Sequence, residues 1–132
     1  MSQVFGGDAV NNTASTTVTS TTETVGVTGN FLNPPFGNAK ASVSGTVILT
    51  VGTGMTSVVV RLRRNPNAEN VAVVTTGALT AAAGNIMLLD LQAADVIPDG
   101  RPCQYAISVQ QAGGAGNGTI TFASIAAVLI SG

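Results

Sequence analysis

Asp90, Asp95 and Asp99 come nearest, by type and spacing, to groups that do chemistry: three of the six acidic residues fall within ten positions. Two carboxylates brought together around a loop can work as general acid and base, and a denser acidic loop can hold a hard cation through about six oxygens. The run Asp95-Val96-Ile97-Pro98-Asp99-Gly100 lacks that density, and Asp99 before Gly100 has the ordinary role of capping a tight turn. Other routes to catalysis are closed by composition. The chain has no histidine, so neither a Ser-His nor a Cys-His pair can form. Its one cysteine, Cys103, follows Pro102 at the start of a predicted strand and reads as a buried structural thiol. Lys40, the one lysine, lies in a Gly/Asn/Ala segment with no serine motif around it. Transition metals would find a single sulfur and no imidazole. The expectation is a protein that is not an enzyme and carries no cofactor and no metal.

Binding chemistry is nearly as sparse. Arg61 and Arg63 fall on one face of a predicted strand, where they can grip phosphate or pair with carboxylates. Nucleic-acid binding calls for more basic residues and nearby aromatics, whereas the net charge is -1 and residues 1–14 contain no Lys or Arg. The reading adopted is charge pairing across a subunit boundary among Arg61, Arg63, Glu69 and Asp90, with Asp95 as a further acceptor; solvated surface charge is the plainer alternative. Phe31 and Phe36 flank Pro34-Pro35 and either anchor a loop on the core or form a small docking surface. The sequons at Asn11 and Asn117 read as chance matches, because the first residues have neither a basic nor an apolar leader region. The apolar run Ile120–Ile130 is too short to span a bilayer and holds Thr121 and Ser124, so no membrane association is expected.

The elements that must position these residues are strands. β-Branched and turn-forming residues dominate, and long Glu/Lys/Leu runs are missing. Residues 1–14 are aperiodic and read as a flexible arm. From Ser15 to Val27 a weak strand or split pair is expected, then an apolar loop over Gly29–Asn38. Ala41, Val43, Gly45, Val47, Leu49 and Val51 alternate with polar residues on a clean strand. Val58, Val60 and Leu62 oppose Arg61 and Arg63 on the next. Further strands are expected over Asn70–Thr76, Asn85–Gln92, Cys103–Gln111 and Thr119–Ser131, with turns at Asn65-Pro66-Asn67, Pro98-Asp99-Gly100 and Gly113–Gly118. Seven to nine evenly spaced strands predict an all-β antiparallel sandwich or jelly roll, one domain over 15–132. An immunoglobulin-like sandwich is the other arrangement, without that fold's paired cysteines and core tryptophan.

The surface is where composition speaks loudest. A compact 13.1 kDa monomer exposes about 6,400 Å². Five Lys/Arg and six Asp/Glu then supply about one charge per 580 Å², against roughly one per 190 Å² for average composition. Such a surface invites association. The closing run Ile125-Ala-Ala-Val-Leu-Ile130 is apolar at every position, which predicts burial on both faces. Covering of the outer face by another subunit, or by the chain's own Phe31–Phe36 loop, would satisfy it.

The run Gly118-Thr-Ile-Thr-Phe-Ala-Ser-Ile-Ala-Ala-Val-Leu-Ile130, after the strand Gln104-Tyr-Ala-Ile-Ser-Val109, resembles the end of the trimeric jelly rolls of the tumour necrosis factor/complement-globular-head class. The Thr/Ser/Val-rich strands and low charge also resemble capsid decoration (cement) and head-fibre proteins of tailed bacteriophages. The resemblance implies a homotrimer packed through Ile120, Phe122, Ile125, Ala127, Val128, Leu129 and Ile130. It implies a virion structural protein, assembled in the host cytoplasm, whose arm (Val4, Phe5, Val10) docks on the major capsid protein at the outer surface of the head. A fibre or adhesin receptor-binding domain, a self-assembling shell protein and a β-sandwich hydrolase using Asp90 or Asp99 are the competing readings.

Overall fold

A strand buries one side when apolar residues recur at every second position, and ten segments of this chain do so or pair with ones that do. The computed structural model describes residues 3–19, 22–32, 39–64, 71–97 and 103–131, with side chains described for all but 3–8, 30–32, 103 and 131. The strands are β1 (Gln3–Asn12), β2 (Thr16–Val18), β3 (Thr24–Leu32), β4 (Ala39–Thr50), β5 (Met55–Arg64), β6 (Val71–Thr75), β7 (Leu79–Thr80), β8 (Ile86–Ile97), β9 (Cys103–Gly114) and β10 (Gly118–Ser131). No helix occurs among the described residues.

The strands form two antiparallel sheets. One has the order β1-β10-β4-β8, with β2 also on β10; the other has the order β3-β9-β5-β6, with β7 also on β5. First strand beside last, with β3 to β5 and β8 to β10 alternating between sheets, is the winding of a jelly roll. The expected all-β sandwich is the fold of this chain.

β4 carries the expected alternation in full, with Ala41, Val43, Val47 and Leu49 buried between the sheets. Val58, Val60 and Leu62 of β5 and Tyr105, Ile107 and Val109 of β9 meet them from the opposite sheet. Gly45 completes the β4 face. A Cβ there would lie 2.8 Å from Leu62 Cδ2 and 2.9 Å from Ile107 Cδ1, so the backbone itself is the packing surface. The β9–β10 hairpin turns through Gly114, whose φ of +85° and 2.1 Å Cβ clearance from Gly54 O exclude a side chain.

Three expectations are corrected. Residues 1–14 are not a free arm: Gln3–Asn12 pairs along β10, and β2 continues the same edge after Thr13–Ser15. Thr13, Ala14 and Ser15 face only Thr121 and Phe122 across the ladder, so the two strands are one edge broken by a one-residue bulge. A ladder needs backbone groups, not side-chain periodicity, which is why the Gly6-Gly7-Asp8-Ala9 stretch hides a strand. Asn12 pins the bulge, donating from Nδ2 to Gly26 O (2.8 Å) and accepting from Ala14 N (3.0 Å). Val10 packs against the core over Gly29.

The second correction concerns β10. A bulge between Ile120 and Phe122 resets the alternation, so Ile120, Ala123, Ile125, Ala127 and Leu129 fill this chain's own core. Phe122, Ser124, Ala126, Val128 and Ile130 occupy the outer face and are half-buried. The strand is therefore dry on one face within the chain, not on both. Third, the loop expected over Gly29–Asn38 is strand as far as Leu32. Residues 33–38, including Pro34, Pro35 and Phe36, lie outside the described residues, as do the expected turns at 65–67 and 98–100.

Gly45→Val would force Leu62 and Ile107 from their rotamers; overpacking of this kind costs about 1–3 kcal/mol, measurable as a lowered urea midpoint with an unchanged m-value.

Candidate functional site: the outer face of one sheet

The two sheets turn very different outer faces to their surroundings. On the β3-β9-β5-β6 sheet, Arg61 and Arg63 of β5 point outward beside Ser108 and Gln110 of β9, and all four meet at or beside Glu23, the residue before β3. Arg63 Nε donates to both carboxylate oxygens of Glu23 (3.0 and 2.9 Å), and Ser108 Oγ donates to Oε1 at 2.9 Å. Arg61 Nη1 donates to Glu23 Oε1 at 3.2 Å and to Gln110 Oε1 at 2.7 Å. Burial alone pushes the Glu23 carboxyl up. The hydrogen bonds from Arg63 and Ser108, with the positive charge of Arg63 and Arg61, outweigh it and hold the carboxyl below its ordinary value.

The charge pairing expected across subunits is thus made within the chain, and with a residue the sequence reading did not select. Glu23 was hidden because it lies outside any periodic segment. Arg61 and Arg63 do not pair with Asp90, which lies on the other sheet and accepts a hydrogen bond from Thr46 of β4. Glu69 lies outside the described residues.

Asp95 is also committed inside the chain. Arg64 follows Arg63 and so points inward, where Nη1 meets Asp95 Oδ1 at 2.6 Å and Val96 O at 2.9 Å. Tyr105, fully buried, donates its hydroxyl to Asp95 Oδ2 at 2.8 Å. This clamp joins β5 and β9 to β8 across the sandwich. Arg64 Nε is the one polar side-chain atom found buried without a partner among the described residues. The parity that sends Asp95 inward sends Asp90 outward, so these two carboxylates stand on opposite faces of β8 and cannot share a proton or a cation. Asp99 lies outside the described residues, and no group of three potential metal ligands occurs among the described ones.

The outer face of the β1-β10-β4-β8 sheet is built from rungs of facing residues. One rung runs Phe122–Ile48–Leu88, the next Ser124–Thr46–Asp90, then Ala126–Ser44–Gln92, Val128–Ser42–Ala94 and Ile130–Lys40–Val96. Lys40 and Asp90 are the charged groups of this face among its described side chains. Ile86 is 71% exposed, Leu88 64% and Val96 50%. Ser44, Thr46, Asp90 and Gln92 line an open depression of about 500 Å³ across the middle. Its groups can accept and donate hydrogen bonds, and one such bond, from Thr46 to Asp90, is made within it.

Of the expected trimer contacts, Phe122, Val128 and Ile130 therefore lie on an accessible face, while Ile120, Ile125, Ala127 and Leu129 are spent on the core. Val10 belongs to β1 and packs inward, which removes it from a docking arm; the side chains of Val4 and Phe5 lie outside the described ones.

The sequence matches no protein-family profile and no curated protein. Solved structures share its architecture. A chain from infectious bursal disease virus, Gt strain, is similar over 96% of this chain and 37% of its own, at 10% identity and a TM-score of 0.56. The present chain thus spans little more than a third of that viral chain. The globular domain of zebrafish complement 1qA protein is similar over 92% of this chain and 94% of its own, at 7% identity and a TM-score of 0.53. The likeness is one of fold. At that level the expected resemblance to the complement-head class holds.

Two outcomes follow from these polar groups. Glu23 contributes stability above its ordinary value of 4.5, and that contribution disappears as pH falls through the lowered folded value. Glu23→Gln should therefore lower stability by about 1 kcal/mol at pH 7 and flatten the acid limb of a stability–pH curve. Asp95→Ala strands the buried Arg64 and should cost about 3–5 kcal/mol in urea unfolding, whereas the double change Arg64→Met/Asp95→Leu should recover much of it.

Proposed function

We propose that this chain is a virion structural protein. It assembles as a homotrimer through the β10 side of the β1-β10-β4-β8 sheet face and binds the outer surface of a phage head, stabilising the major capsid protein lattice beneath it. One observation carries the reading: among the described side chains this face has only Lys40 and Asp90 as charges, in no ion pair with a described residue, while Phe122, Ile48, Leu88, Val128 and Ile130 stand on it among small polar residues.

Water solvates the Glu23–Arg61–Arg63 face well. On the other face the β10 column, Phe122, Ser124, Ala126, Val128 and Ile130, carries no charge and is mostly apolar, as the centre of a subunit contact is. A threefold axis beside β10 closes the contact made through that face. The fold likeness to a viral chain fits a shell-associated role. With β1 built into the sheet, capsid attachment falls to the loops and outer faces of the trimer and not to a free arm.

Light scattering of the purified chain should give about three times 13.1 kDa. Phe122→Glu/Val128→Glu should give a folded chain, with far-ultraviolet circular dichroism unchanged, that no longer forms the trimer or co-sediments with phage heads. A wild-type mass near 13.1 kDa at micromolar concentration would contradict the proposal. Closed particles from the chain alone would replace it with a shell protein, and cell attachment without head binding would replace it with an adhesin.

A further inference from the structure

We propose that β8 is a second, independent interface, at which two copies of this chain pair antiparallel, edge to edge, and join their sheets across a twofold axis. This goes beyond the trimer reading and does not depend on it, since β8 lies two strands away from β10.

The free backbone groups can be assigned. Val51 N donates to Asn85 O at 2.9 Å, which sets odd-numbered residues of β8 in hydrogen-bonded pairs with β4. The N–H and C=O groups of Ile86, Leu88, Asp90, Gln92, Ala94 and Val96 therefore point off the edge. Val96 O agrees with this assignment, because it is reached from that side by Arg64 Nη1. No described residue hydrogen-bonds the backbone of the other five.

Natural edges are blunted by shortness, bulges, charged side chains or proline. β6 spans five residues, and β1 and β3 each shift register against their neighbours. β8 is neither short nor bulged, and of its two charges Asp95 is paired with Arg64, which leaves Asp90. It runs twelve residues without a register shift against β4 and contains no lysine and no proline. Its outward side chains at both ends, Ile86, Leu88 and Val96, are at least half exposed.

Side-chain complementarity selects a second copy of β8 as the occupant and fixes the register. With Leu91 on the twofold axis, Ile86 faces Val96, Leu88 faces Ala94 and Asp90 faces Gln92 of the second copy. Apolar meets apolar, and the carboxylate meets an amide donor. Centring on Asp90 would oppose two carboxylates, and centring on Gln92 would set Asp90 against a methyl group.

The test uses the full chain in a Cys103→Ser background. Facing residues in a hydrogen-bonded antiparallel pair have Cα atoms about 5.5 Å apart, within disulfide reach. Mixing Leu88→Cys with Ala94→Cys chains under mild oxidation should give a covalent dimer, and either variant alone should give at least tenfold less. Gln92→Pro removes only an N–H that points off the edge, so the pairing with β4 survives. Added to both partners, it should reduce cross-linking at least tenfold with circular dichroism unchanged. Ala94→Lys is the second blocking variant, read as loss of the species heavier than the trimer. Equal cross-linking by Leu88→Cys alone, no cross-linking in the mixture, or full association of both blocked variants would overturn the proposal. Blocked variants that keep a trimer mass separate this interface from the face contact; a cross-linked dimer without any trimer would sink the trimer alone.

Discussion

A sandwich of two sheets buries their inner faces against each other and must leave both outer faces to water or to other molecules. This chain has five basic and six acidic residues to distribute over a total accessible surface of 6364 Å². Arg64 and Asp95 are withdrawn into the clamp with Tyr105. Glu23, Arg61 and Arg63 are bound to one another on one sheet. What is left for the β1-β10-β4-β8 face, among the described side chains, is Lys40 and Asp90. The β10 column of that face is left without charge. The same backbone alternation that packs the core sends Arg64 and Asp95 inward and Arg61, Arg63 and Asp90 outward.

Much of that alternation was legible in the sequence. β4 and β5 read correctly residue by residue, since clean period-two patterns survive wherever one face is buried. The apolar character of β10 was legible too, but its meaning was not. A single bulged position exchanges the inward and outward sets, and no residue type at Thr121 announces it. The first strand was invisible for another reason: an edge strand of Gly, Ala and Asn is held by backbone hydrogen bonds and needs no apolar period. Glu23 could not be found from pattern, because its partners lie on β5 and β9, 38 to 85 residues away in sequence. The opposite fates of Asp90 and Asp95, by contrast, follow from their five-residue separation on one strand.

Placing the polar groups also explains why an assembly with more than one kind of contact suits this molecule. The clamp stiffens the β8 end of the sandwich by tying it to β5 and β9, so the edge is presented as a regular twelve-residue ladder. The β10 face is supported from beneath by Ile120, Ala123, Ile125, Ala127 and Leu129 in the core. A rigid unit with a supported face and a regular open edge can be joined to neighbours with little loss of conformational freedom.

The central claim is that protein, not water, covers the face built on Phe122, Ile48 and Val128. Hydroxyl-radical footprinting across a dilution series tests it most directly, with Val25 on the opposite sheet as the internal reference. The account predicts that Phe122 and Val128 are protected at micromolar concentration and gain reactivity on dilution while Val25 does not change. Reactivity at Phe122 and Val128 that is high and independent of concentration would contradict it.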